Sequence, residues 1–185
     1  MTLEVELLGI SGLRRIQPAR REDSRGSFMR LFCEEELASV LQGRRIVQIN
    51  RSASAATGSI RGLHYQRAPH AEMKFVTCLR GQAWDVAIDL RAGSGTFLNW
   101  HAETLDAGIG NMLAIPEGFA HGFQTLQPDT ELLYLHTAAY APNFEGAVRF
   151  DDPRVGISWP LPASAISARD LGHALLARDF MGLDQ

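Results

Sequence analysis

The sequence has little of what marks the commoner functional classes. No apolar run approaches the ~20 residues that span a bilayer, and the amino end lacks the apolar region of a secretory signal. A soluble, cytoplasmic protein is therefore expected. Cysteine is scarce: Cys33 and Cys78 are the two present, in neither a CxxC nor a Cys/His spacing. That excludes a disulfide framework and predicts two reduced core thiols. A net charge of −3 gives no positive field for a polyanion, so nucleic acid is not an expected partner. Repeats, low-complexity tracts and long linkers are missing too. The six histidines, at 64, 70, 101, 121, 136 and 173, include no His-x-His pair. That spacing sets two imidazoles on one face of a strand, so no catalytic metal is expected.

What is present is the balance of a globular protein, 45% hydrophobic and 21% charged in 185 residues. That length predicts one domain, 1–185, with a real core. The chain reads mostly as strands. Thr77 to Leu90 holds two apolar stretches around an Arg80-Gly81-Gln82 turn. In the second, Trp84, Val86, Ile88 and Leu90 alternate with Ala83, Asp85, Ala87 and Asp89. Met112 to Ile115 precedes a Pro116-Glu117-Gly118 turn, after which Phe119 to Leu126 resumes extended structure. Glu131 to Tyr140 and Gly146 to Phe150 are further strands. Short strands punctuated by Gly and Pro predict an all-β sandwich or barrel. Helices are expected only over Glu34 to Leu41 and from Ser167-Ala168-Arg169-Asp170, which has the form of a capping box.

Taken singly, the polar residues support ordinary roles. His64 shares a strand face with Gly62 and Gln66, a polar face suited to a wet cavity. Tyr134 shares its face with Leu132 and His136, and an inward tyrosine is usually core with its hydroxyl bonded. His121, between Phe119 and Phe123, could be structural. Asp170 could cap the amide of Ser167, and Lys74 could snorkel at a strand end.

Their order along the chain says more. Arg61-Gly62-Leu63-His64-Tyr65-Gln66 is followed by Lys74, and then by Ile115-Pro116-Glu117-Gly118-Phe119-Ala120-His121-Gly122-Phe123. Tyr134 comes next, and Ile166-Ser167-Ala168-Arg169-Asp170 closes the series. This series resembles the dTDP-4-dehydrorhamnose 3,5-epimerase family. Asp23-Ser24-Arg25-Gly26, Val47-Gln48-Ile49-Asn50, Trp84 to Asp89, Tyr140-Ala141-Pro142 and Asp151-Asp152-Pro153 extend the likeness from about Leu13 to Asp170.

The resemblance implies a cupin-type jelly-roll barrel with a few short peripheral helices, working as a homodimer without metal or organic cofactor. It implies epimerisation at C3 and/or C5 of a nucleotide-linked 4-keto-6-deoxyhexose. The base falls on His64, its carboxylate partner on Asp170 and the opposing acid on Tyr134. Substrate contacts fall on Arg25, Gln48, Asn50, Arg61, Lys74, His121, Glu145 and Arg169, and stacking on the nucleotide base on Tyr140. Gln66, on the polar face of His64, joins this set, and Arg25 and Phe28 are expected to reach a neighbour's site.

The chemistry suits these residue types. A C4 ketone acidifies the hydrogens on C3 and C5, because the carbanion delocalises onto oxygen. Inversion needs a base on one face and a donor on the other. Histidine (reference pKa ~6.5) suits the first role and tyrosine (~10) the second. Lys74, helped by His121, is expected to hold the enolate oxygen. Arg61 suits the diphosphate if Gly62 relaxes the strand, since a strict pleat would turn Arg61 away from His64. Asp85 is expected to line the cavity beside Lys74.

The sequence departs from the family pattern where the nucleotide is read. Arg30 stands in a frequently acidic place, Ser27-Phe28 lacks one ring of an aromatic pair, and Ile49 replaces an aspartate. Leu135-His136 replaces a lysine-containing version, which suggests that His136 tunes which carbon reacts. A mono-epimerase, a 3,4-ketoisomerase and a non-catalytic sugar-nucleotide binder are the rival expectations.

Overall fold

A computed structural model describes residues 2–184. Its first sheet is six-stranded, in the order β1 (Leu3–Leu7), β2 (Arg14–Pro18), β10 (Met112–Ile115), β7 (Lys74–Arg80), β12 (Thr130–His136), β5 (Gln48–Ser54). The second runs β13 (Glu145–Ala147), β6 (Ser59–Gln66), β11 (Phe119–Thr125), β8 (Gln82–Asp89), β9 (Trp100–Asp106), with β14 (Ala165–Ile166) parallel to β6. Strands β3 (Arg20–Asp23) and β4 (Gly26–Met29) form a separate hairpin. The two large sheets face each other as the expected jelly roll.

The Arg80-Gly81-Gln82 turn does not close a hairpin. Strands β7 and β8 lie in different sheets, and Gly81, at φ +73°, makes the corner between them. Pro116-Glu117-Gly118 carries the chain across in the same way between β10 and β11.

Three apolar layers explain the stability. Between the sheets, Val76, Leu113, Ile115 and Leu132 of the first meet Ala83, Ala87, Leu105, Phe119 and Phe123 of the second. Outside the first sheet, Phe75, Met112 and Leu135 are covered by Leu37, Val40 and Leu41. Outside the second, Leu63, Val86 and Ile88 are covered by Val155, Trp159, Leu176 and Phe180. Each fully buried Leu, Ile or Phe contributes roughly 1.5–3 kcal/mol. The central strands are therefore buried on both faces.

The helices are shorter than the sequence suggested. Only Ala38–Leu41 (α1) is helical in the first, because Glu34 to Leu37 form turns and Leu37 offers no capping side chain. The second, α2, is Ala168–Leu171, and the Ser167 hydroxyl accepts from the Asp170 amide at 3.0 Å. Only that half of the capping box forms. The Asp170 carboxylate turns to β6.

Gly62 bends β6 as anticipated. Opposite His121 and Phe123 on β11 stand His64 and Arg61, so the register shifts by one residue between them. Gly62 sits at φ +111°, and a Cβ there would lie 2.7 Å from the Gly122 Cα. A side chain has no room. The bulge brings Arg61 and His64 to the same cavity.

Candidate active site

A cavity of about 780 Å³ opens between the sheets. The second sheet contributes Arg61 and His64 from β6 and His121 from β11. The first contributes Asn50 and Ser52 from β5, Lys74 from β7, and Tyr134 and His136 from β12. His64 and Tyr134 therefore stand on facing walls of one space.

The His64 Nε2 lies 2.8 Å from Asp170 Oδ1, and Asp170 Oδ2 lies 3.5 Å from the Gly62 amide. A carboxylate only accepts, so Nε2 carries the imidazole hydrogen and Nδ1 keeps a lone pair. Burial holds the His64 pKa below its ordinary value, against the hydrogen bond and charge of Asp170, which pull the other way. The side chain is still 32% exposed, so the ring is neutral, oriented and accessible.

Burial likewise raises the Tyr134 phenol well above its ordinary range, more than the hydrogen bond with Ser52 lowers it. The two hydroxyls are 3.0 Å apart. The Tyr134 ring packs edge-on to His121, with centroids 6.0 Å apart, and lies nearly parallel to His136 at 6.1 Å. It is a protonated phenol held from both sides.

Lys74 is buried, with Nζ 3.0 Å from Glu72 Oε1, while the other Glu72 oxygen lies 2.8 Å from His136 Nδ1. Burial opposes the charge on Glu72. The His136 and Lys74 contacts outweigh it and bring the carboxyl down to about 2. Sequence reasoning missed Glu72. The signal was its place two residues before Lys74, just ahead of β7.

Asp85 does not line the cavity. It is fully buried behind His121, with Oδ2 2.8 Å from Nε2, because β8 is an inner strand and Asp85 lies across β11 from the pocket. It orients His121 instead of accompanying Lys74.

At the rim, the Tyr140 hydroxyl donates to Glu145 Oε2 at 2.8 Å, and Arg169 pairs with the same oxygen. Tyr140 is half exposed. Arg61 donates to Ser54 Oγ and the Ala53 carbonyl, which fixes the guanidinium at the cavity edge.

Four expected substrate contacts stand elsewhere. Gln66 is buried, with its amide bonded to the His70 and Ala139 carbonyls and the Ala141 N–H. The Gln48 side chain accepts from the Tyr140 amide at 3.0 Å. Both brace the loop that carries Tyr140. Arg25 and Phe28 ride the exposed β3–β4 hairpin, where Arg25 pairs with Asp23, and they line a separate hollow. Arg30, from the same segment, pairs with Glu36.

The model of the dTDP-4-dehydrorhamnose 3,5-epimerase family matches residues 8–178. The chain belongs to that family. It is 41% identical to the dTDP-4-dehydrorhamnose 3,5-epimerase of Sinorhizobium fredii, over 83% of this chain and 78% of the relative. It is 37% identical to the dTDP-4-dehydrorhamnose 3-epimerase of Streptomyces niveus, over 92% and 82%. The crystal structure of the Bacillus anthracis dTDP-4-dehydrorhamnose 3,5-epimerase with TDP and PPi bound superposes with a TM-score of 0.91. Identity there is 33%, covering 95% of this chain and all of that one. Like its relatives the chain is an isomerase of the epimerase type. Among the described residues no helix is long and apolar enough to cross a membrane.

Proposed function

We propose that this epimerase inverts C3 and C5 of a dTDP-linked 4-keto-6-deoxyhexose, in deoxysugar synthesis, with His64 as base and Tyr134 as acid. The observation that carries the reading is the His64–Asp170 pair and the Tyr134 hydroxyl on opposite walls of one cavity. Nδ1 of His64 takes the proton from the carbon beside the ketone, and the electron pair passes to the C4 oxygen. Asp170 stabilises the imidazolium that forms. The Lys74 ammonium, with the Asp85-held His121 beside it, meets the enolate oxygen. Each such donor is worth on the order of 3 kcal/mol. Tyr134 then delivers its proton to the other face of the carbon, and solvent resets both groups.

Arg61 and Arg169 suit the diphosphate and Tyr140 suits the base. These transfers use side chains alone, and no cofactor is invoked. The exposed hairpin supports a homodimer in which Arg25 and Phe28 complete the partner's site, since neither lines the cavity of its own chain. The two free cysteines fit a cytoplasmic setting.

Incubation of the keto sugar in deuterated water tests this. Label at both C3 and C5, lost in His64→Ala, is expected. Label at one carbon only means a mono-epimerase, and a C3 ketone in the product means a ketoisomerase. Binding without exchange would overturn catalysis.

A further inference from the structure

A third donor stands beside the catalytic pair. His173 lies two residues past the end of α2, three after Asp170. Its ring lies edge-on to that of His64, with centroids 6.2 Å apart. One donor atom from each of His64, Asp170 and His173 lies within 4.8 Å of the others. The His173 Nε2 is buried and has no hydrogen-bond partner among the described residues, although an imidazole nitrogen out of water normally has one. No step of the epimerisation uses it.

We propose that His64, Asp170 and His173 form a binding site for a borderline divalent cation such as Zn²⁺, and that its occupancy switches the enzyme off. Two neutral imidazoles and a carboxylate are a donor set suited to Zn²⁺, with bonds of about 2.0–2.2 Å and donors about 3.3 Å apart in a tetrahedron. The His64–Asp170 pair, at 2.8 Å, would open by about 0.5 Å to share an ion, and the third donor already lies within 4.8 Å of both. His64 and Asp170 line the cavity, which supplies the way in. The carboxylate offsets half of the ion's charge.

The chemistry of inhibition follows from the tautomer. A metal bonded to Nε2 of His64 takes the lone pair there and moves the ring's single hydrogen to Nδ1. Nδ1 then faces the cavity as N–H and has no lone pair for a substrate proton. The ring stays neutral and no net proton is released. This inhibitory half rests on His64 being the base, as in the function proposed above. The binding half does not.

The test uses the full chain, purified without a tag and stripped with a chelator, with Zn²⁺ titrated by calorimetry and by competition with a chromogenic chelator. One ion per chain is expected. His173→Gln should weaken binding at least about tenfold while its metal-free epimerase activity stays within about twofold of the parent. Zinc should inhibit the parent at the concentrations that fill the site, and the inhibition should shift by the same factor in His173→Gln. Equal zinc affinity in the parent and His173→Gln, or no binding at about 0.1 mM Zn²⁺, overturns the site. Zinc bound through His173 without loss of activity overturns the inhibition. A stripped parent that binds zinc through His173 but never epimerises supports the site and refutes the function proposed above.

Discussion

Asp170→Asn separates the charge of the site from its shape. The Ser167 hydroxyl caps the main-chain N–H of residue 170, so the α2 start survives the substitution. What goes is a negative charge 2.8 Å from the imidazole. With charge centres about 4 Å apart and an effective dielectric near 20, the attraction between imidazolium and carboxylate is about 4 kcal/mol. At 1.36 kcal/mol per decade, that is up to about 10³-fold in rate. An amide can also donate to Nε2, which would leave Nδ1 as N–H and worsen the loss. The pH arm has a definite sign. Burial lowers the His64 pKa and Asp170 opposes it, so removing the carboxylate lowers it further. The acidic limb of kcat/KM, already below pH ~6.5 in the parent, should move to still lower pH as the plateau falls. The assay is deuterium uptake at C3 and C5 across pH 4 to 9, with circular dichroism as a fold control. A plateau within threefold of the parent, or a limb that moves upward, would refute the pairing of Asp170 with the base.

Tyr134→Phe keeps the ring packing against His121 and His136 but removes the donor. Product should form about 10²-fold more slowly, while proton NMR still shows deuterium washing into unepimerised substrate; equal loss of exchange and inversion would place the acid elsewhere. Gly62→Ala puts a Cβ 2.7 Å from the Gly122 Cα at φ +111°, so it should cost at least about 2 kcal/mol and lower Tm by several degrees in calorimetry; an unchanged Tm would show that β6 has slack. Glu72, held near 2 against an ordinary 4.5, contributes stability that is complete above about pH 4.5 and lost as pH falls through 2. That shift is worth about 3 kcal/mol, and Glu72→Gln should flatten this part of the stability–pH curve; an unaltered slope in urea melts would discount the Glu72–His136–Lys74 cluster.

The jelly roll was legible where strand and turn signals agree, as at Met112 to Ile115 and Phe119 to Leu126. The sheet pairing was less so. Arg80-Gly81-Gln82 marks a turn between β7 and β8, but such local signals do not say which sheet each strand joins or what stands beside it. Asp85 was misplaced for that reason. Alternation put it on an inward face without revealing that His121 stands between it and the cavity. The site residues came from motif order, which marks chemistry but not geometry. Gln66 and Gln48 sit inside matching motifs, yet their amides brace a loop. His173 and Glu72 lie just outside the elements that carry the motif residues, two positions past the end of α2 and two before the start of β7, and motif matching passes over such neighbours.

The kink in β6 has a bearing on what the enzyme accepts. With Arg61 as diphosphate anchor and His64 as base, as proposed above, both ride on β6 and the guanidinium is tied to Ser54 and Ala53, so the gap between them does not depend on a loop. The strand works as a fixed gauge. A sugar tethered through a single phosphate, or through a longer spacer, would be held with the wrong atom beneath the imidazole, however well either end fitted alone.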